Sequence, residues 1–266
     1  MNIEQLKHLL RASAEIVGED KFIVIGSQSI LGKYPHAPAE FLWSVEADIY
    51  AKDNPKASVK KLETIAELSP FHETHGIYVD PVDKNTAVLA KGWMGRLVNI
   101  ETHSSTGQKV TGLCLNPDDL FVSKVAANRE KDIAFVKTMI EHDMVNHDRV
   151  MQLAATVANP ADDFEFSKRI IQRIERLFAE VPEDQRVRIN IANGTYTGYI
   201  IGLSDAVVQQ LTIGDEYVIH HVSQLTPPLP TQGDLCTVHY KGGQAQVVIH
   251  SSQEQEAKAS GEPEIP

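Results

Sequence analysis

Phe22-Ile23-Val24-Ile25-Gly26-Ser27, followed after a loop by Ser44-Val45-Glu46-Ala47-Asp48-Ile49-Tyr50, is the stretch on which the fold turns. The four apolar residues read as a short buried strand, and Gly26-Ser27 as a tight turn into a further helix start. Leu42 to Tyr50 reads as a second strand. Within it Val45, Ala47 and Ile49 alternate with Ser44, Glu46 and Asp48, so the polar set shares one face. Two carboxylates presented that way repel each other, and the arrangement is costly without a cation or a basic partner.

That pairing suits one kind of chemistry. Moving a nucleotidyl group from a triphosphate requires the phosphates to be held, their charge neutralised, and the attacking hydroxyl aligned with the α-phosphorus. Magnesium contributes by bridging phosphate oxygens while resting on a few carboxylates. Gly26 lets the backbone come close to a ligand. Ser27 supplies a hydroxyl and an amide at a helix start, where anions are favoured.

Outward from this stretch, Ile3, Leu6, Leu9, Leu10, Ala14 and Val17 recur at helical spacing and predict an amphipathic helix that Gly18 stops. Residues 57–68 predict another helix. Ile77-Tyr78-Val79, Arg96 to Ile100 and Val110 to Leu115 read as short strands. Asn116-Pro117-Asp118-Asp119 is a helix start: Asn116 caps, Pro117 suits the first helical position, and the acids favour the positive end of the macrodipole. The helical pattern then runs to about Ala179, with breaks near Asn146 and Pro160. Near Pro182 the character changes. From Val187 to Ile249, β-branched runs alternate with turn signals such as Asn193-Gly194, Gly233-Asp234 and Gly242-Gly243, which predicts five or six strands in a small barrel or rolled sheet. The expected organisation is α+β: a mixed sheet with helices and a helical segment over 1–180, a small all-β domain over 186–250, and a polar, disordered tail over 251–266.

The 266 residues carry 25 Lys and Arg against 36 Asp and Glu, a formal net charge of −11. Such a balance opposes non-specific nucleic-acid binding, which depends on neutralising phosphates; a local basic pocket for a nucleotide or an RNA end is compatible with it. No apolar run has transmembrane length and no signal peptide is read at the start, so no membrane role is expected and cytoplasm is the default compartment. Cys114 and Cys236 lie far apart, outside any CxxC spacing, and offer neither a disulfide framework nor a zinc site. His72-Glu73-Thr74-His75 is one residue short of the HExxH zinc pattern, and Gly76 marks a helix end there. Trp93 reads as a packing anchor.

The Ile25-Gly26-Ser27 turn with Ser44-Val45-Glu46-Ala47-Asp48-Ile49 resembles the glycine-serine plus paired-acid signature of the nucleotidyltransferase, polymerase-beta-like superfamily. Asp80, Lys91-Gly92-Trp93 to Arg96-Leu97-Val98, Asn116-Pro117-Asp118-Asp119-Leu120, Ser123-Lys124 and Asn128-Arg129-Glu130-Lys131-Asp132 are similar to a bacterial group of uncharacterised nucleotidyltransferases related to AbiEii-type toxins. The resemblance covers roughly Phe22 to Val145. It implies that Gly26 and Ser27 cradle phosphate, Glu46 and Asp48 are catalytic metal ligands for Mg2+, Lys124 holds the phosphates of an NTP, and Asp132 is a late-motif acid of the nucleotide site. A third acid completes the metal site in that family; Glu101 is placed first and Asp80 is the competitor. Two departures stand out: the first acid is Glu, and 18 residues separate Ser27 from Glu46. Further on, Gly194-Thr195-Tyr196-Thr197-Gly198, Val207-Val208-Gln209-Gln210 and Gly233-Asp234 to Gly242-Gly243 are similar to the KfrB-type domain of plasmid-borne and mobile-element proteins.

These resemblances imply a magnesium-dependent transferase that places a nucleotidyl group on an RNA or protein acceptor. A toxin-like role with an antitoxin or another plasmid-encoded partner belongs to the same expectation. The alternative is a non-catalytic nucleotide-binding or partner-binding scaffold on the same fold.

Overall fold

The computed structural model describes residues 1–35, 37–157, 165–182, 186, 188–189, 194–204, 207–214, 217–241 and 244–250. The expected tail at 251–266 and the turns at Asn193 and Gly242-Gly243 lie outside them. The chain divides into two compact units, Met1–Pro182 and Glu183–Pro266.

The first unit opens with α1 (Ile3–Val17). Asn2 and Gln5 close a capping box at its start, and Gly18, at φ +81°, ends it as the spacing predicts. Leu6, Leu9 and Leu10 on its inner stripe are fully buried. Five strands form one mixed sheet in the order β3-β2-β1-β5-β4: β1 (Lys21–Ile25), β2 (Glu46–Ala51), β3 (Tyr78–Pro81), β4 (Val98–His103) and β5 (Lys109–Cys114). β1 runs antiparallel to β2 and parallel to β5, while β2 and β3 are parallel. Phe22 to Ile25 is buried on both faces of this central strand, which explains its continuous apolar run.

The second strand is shorter than its sequence suggests. Residues 42–45 lie outside β2, since the carbonyls of Leu42 and Ser44 accept bonds from the Met1 nitrogen instead of entering a ladder. Likewise the predicted helix over 57–68 is α2 (Pro55–Leu62) with a 3-10 turn at Glu63–Ile65, and α3 (Pro70–His75) ends at Gly76 in the left-handed region.

Helices α4 (Pro117–Ala127), α5 (Glu130–Glu141), α6 (His147–Ala154) and α7 (Phe166–Glu180) pack on one another around α4, which also meets the turn at Ser27–Gly32, with Phe178 seated against Phe121 and His147. Asn116 caps α4 through its side chain and Asn146 caps α6. A further break, at Asn128, has no counterpart in the helical spacing. Asn128, at φ +55°, closes α4 and turns the chain so that α5 doubles back.

The second unit is a seven-stranded sheet in the order β10-β12-β11-β7-β8-β9-β6. Its members are β6 (Arg188–Ile189), β7 (Gly194–Leu203), β8 (Val207–Thr212), β9 (Tyr217–His221), β10 (Leu225–Thr226), β11 (Leu235–Lys241) and β12 (Gln244–Ile249). Ile200, Val208, Leu225, Val238, Tyr240 and Val247 make its core. A buried polar chain crosses that core. Gln210 Nε2 donates to the carbonyls of Gly198 and Cys236, its Oε1 faces His220 Nε2 at 2.9 Å, and His220 Nδ1 faces the Tyr240 hydroxyl at 3.0 Å.

Candidate active site

β1 ends at Gly26, whose φ of +66° leads into a six-residue 3-10 helix, Ser27–Gly32, where the sequence reading places a helix start. Glycine is required here twice over. The left-handed backbone disfavours any other residue, and a Cβ would stand 1.9 Å from Asp48 Oδ2. The turn and the acid of β2 are therefore pressed together: Ile25 pairs with Asp48 across the antiparallel ladder, and the carboxylate lies over the glycine.

Glu46 and Asp48 share the polar face of β2, with Ala47 and Ile49 wholly buried on the other. β3 supplies the next pair in register. Tyr78 lies beside Glu46 and Asp80 beside Asp48, so the i, i+2 spacing of β2 is repeated on its parallel neighbour. The Tyr78 hydroxyl donates to Glu46 Oε2 at 2.9 Å, which restrains the longer of the two acids. Burial, with Asp80 and Glu46 close by, pushes the Asp48 carboxyl up to about 6. Asp80 is also raised, by burial and then by the charges of Glu46 and Glu67.

The third acid is where structure and sequence reading part. Glu101 lies on β4, at the far edge of the sheet from β3, and pairs with Lys109 at 2.5 Å on an exposed surface. It is not brought to the group. Asp80 is, because β2 and β3 are adjacent and in register, a pairing that only the sheet order reveals.

The cationic side of the site comes from α4 and α5. Lys124 is 8% exposed, and its ammonium donates to Ser27 Oγ at 3.0 Å and to Asp132 Oδ1 at 2.9 Å. It also stands 4.4 Å from the centre of the Phe135 ring. Asp132 is fully buried and takes Arg129 Nε on its second oxygen at 2.5 Å. Burial alone raises its carboxyl, but the bonds from Arg129 and Lys124 outweigh that and hold it below the ordinary range. Burial lowers the Lys124 ammonium, opposed mainly by Asp132. The bend at Asn128 makes this possible, since on one continuous helix Asp132 would stand about 12 Å along the axis from Lys124. Asp132 thus reaches the group through Lys124, as an anchor for that lysine.

A cavity of about 170 Å3 opens between these elements, lined by Ser27, Glu46, Lys124, Lys131, Phe135 and Trp43 among others. Trp43 carries no periodicity signal in the sequence; its one mark there is its place three positions before the first acid. Trp93 begins a 3-10 turn, Trp93–Arg96, that Arg96 ties to the buried Asp119 by two hydrogen bonds of 2.8 and 2.7 Å.

Among the described residues, no set of three or more His, Cys, Asp or Glu forms a ready metal cage. Two same-face carboxylates against a glycine turn fit a different mode, in which magnesium rests on one or two protein carboxylates and completes its shell with substrate phosphates and water. Burial first, and then the charges of Asp80 and Glu46, disfavour the ionised Asp48 carboxylate, a cost that a bound cation would reduce. No helix of the described residues is long and apolar enough to cross a membrane.

Comparison with known proteins bears on both units. No curated protein matches the chain. Among solved structures, a Type IV secretion system effector protein, BepA, aligns at 14% identity over 56% of this chain and 75% of its own, with a TM-score of 0.21. Family models match at residues 3–186, described as "Nucleotidyltransferase of unknown function (DUF6036)", and at residues 195–249, described as "KfrB Domain". The chain therefore belongs to the nucleotidyltransferases of unknown function grouped as DUF6036, with a KfrB domain following the nucleotidyltransferase-like one.

Proposed function

We propose that the first unit transfers a nucleotidyl group from a nucleoside triphosphate to a hydroxyl of an RNA or protein acceptor, with magnesium as cofactor. The observation that carries this reading is the contact of Gly26 with Asp48, 1.9 Å from a would-be Cβ, beside the Ser27–Lys124 bond. It supports a phosphate-cradling turn facing a carboxylate pair on one side and a buried ammonium on the other. Glu46 and Asp48 would hold the metal, which supplies charge neutralisation on the phosphates. Lys124, kept in place by Asp132, presents a point charge to the triphosphate, and Ser27 offers its hydroxyl. In the transfer, the acceptor oxygen bonds to the α-phosphorus as the bond to the bridging oxygen of the β-phosphate breaks. Pyrophosphate leaves, and the acceptor proton passes to a carboxylate of this face. Asp80, the most open of the three, suits that last task.

The test is incubation with labelled nucleoside triphosphates, magnesium or manganese, and total tRNA or cell lysate. Label on an acceptor that disappears with Asp48→Asn supports transfer. Nucleotide binding without transfer would establish a sensor or scaffold in its place, and label undiminished by Asp48→Asn would refute the site. The resemblance of the first unit to AbiEii-type toxins extends this proposal to a toxin-like role, with the KfrB domain as the module that would meet a partner.

A further inference from the structure

Trp43 is 83% exposed, so most of its indole ring faces solvent. The main chain around it is nevertheless tied down. Gln28 Nε2 donates to the Phe41 carbonyl at 3.1 Å, and the Met1 nitrogen donates to the carbonyls of Leu42 and Ser44 on either side. Phe41 beneath is buried and meets Phe135 edge-on, ring centres 4.9 Å apart. A pinned backbone thus presents a large flat side chain to solvent at the mouth of the cavity that Ser27, Glu46 and Lys124 line.

We propose that Trp43 is the base platform of the site, on which the nucleobase of the nucleoside triphosphate stacks while its phosphates reach Ser27 and Lys124. This inference rests on the nucleotide-using reading above. Glu46 is three steps of chain from Trp43, at most about 10 Å, a span of the same order as that between base and phosphates within one nucleotide. Stacking on an aromatic face tolerates every base, so the platform confers affinity with weak base preference, purines ahead of pyrimidines for their larger ring area. Rigid presentation matters because the ring loses little freedom when it binds.

The experiment uses the full chain carrying Trp93→Phe, which leaves Trp43 as its only indole. Two probes are titrated with magnesium: a non-hydrolysable ATP analogue and inorganic triphosphate, each followed by Trp43 fluorescence and by calorimetry. The analogue is expected to quench the indole, and triphosphate to bind without quenching. Trp43→Ala should weaken the analogue about tenfold, in line with the usual loss on removing one stacked ring, and leave triphosphate unaffected; Trp43→Phe should recover most of the loss. Analogue binding with no quenching, or equal affinity in Trp43→Ala, overturns the platform while leaving the nucleotide site standing. Equal weakening of both probes assigns Trp43 a structural role and also overturns it. Self-association that disappears in Trp43→Ala at unchanged nucleotide affinity gives the ring to a protein contact, with the same consequence. Failure of wild type to bind either probe removes the nucleotide reading itself.

Discussion

Asp48→Asn should make the metal-free protein more stable at pH 8 while abolishing its response to magnesium. Asp48 is ionised at that pH although it sits half-sheltered beside Asp80 and Glu46, conditions that raise its carboxyl from an ordinary 3.8 to about 6. A shift of that size corresponds to about 3 kcal/mol against the charged form in the fold, trimmed to about 2 kcal/mol by the solvent that reaches one side. Because the folded carboxyl is raised, the native state binds the extra proton between about pH 4 and 6. Wild-type stability therefore falls as pH rises through that window and stays low above it. Asparagine keeps the shape without the charge. Its advantage in EDTA should be about 2 kcal/mol at pH 8, or roughly 4–8 °C in the melting of the first unit, and about a third of that at pH 4.5. Urea or thermal unfolding of both proteins at the two pH values measures it. Magnesium added at pH 8 should raise the melting temperature of wild type alone. An Asp48→Asn protein no more stable than wild type at pH 8, or equally favoured at both pH values, would refute the argument that burial and the neighbouring acids strain this carboxylate.

Other substitutions follow from the same geometry. Gly26→Ala, which drives a methyl into the Asp48 carboxylate at a positive φ, should lower stability by about 2–4 kcal/mol and disrupt magnesium response, read by denaturation and metal titration. Arg96→Ala strands the buried Asp119 carboxylate and should cost about 3–5 kcal/mol; Asp119→Asn in the same background should recover part of it. Tyr78→Phe removes the bond that steadies Glu46 and should reduce metal affinity about fivefold with the fold intact, checked by calorimetry alongside circular dichroism. In the second unit, Gln210→Leu takes partners from the carbonyls of Gly198 and Cys236 and from His220. Hydrogen exchange of β7 and β11 should then rise by one to two orders of magnitude, about 1–3 kcal/mol, with the first unit unchanged.

Much of this protein is written in local pattern. The apolar run at Phe22 to Ile25, the alternation through Asp48, the Gly18 and Gly76 stops and the Asn116 cap follow from strand and helix periods and from backbone chemistry confined to a few residues. Those rules also put Glu46 and Asp48 on one face and bring the Gly26 turn into view. Long-range pairing is another matter. That Asp80 and not Glu101 joins the acids depends on which strands are neighbours, a choice made by the burial of whole faces and invisible to any window of sequence. The break at Asn128 is a single left-handed residue inside an otherwise helical pattern, yet it folds Asp132 back onto Lys124 and turns a surface-like charge run into a buried anchor. Trp43 shows the same division. Its identity is plain in the chain, but only the tertiary ties from Met1 and Gln28 hold it open at the mouth of the site, because solvent exposure is a property of the neighbours a residue lacks, and distant segments decide those.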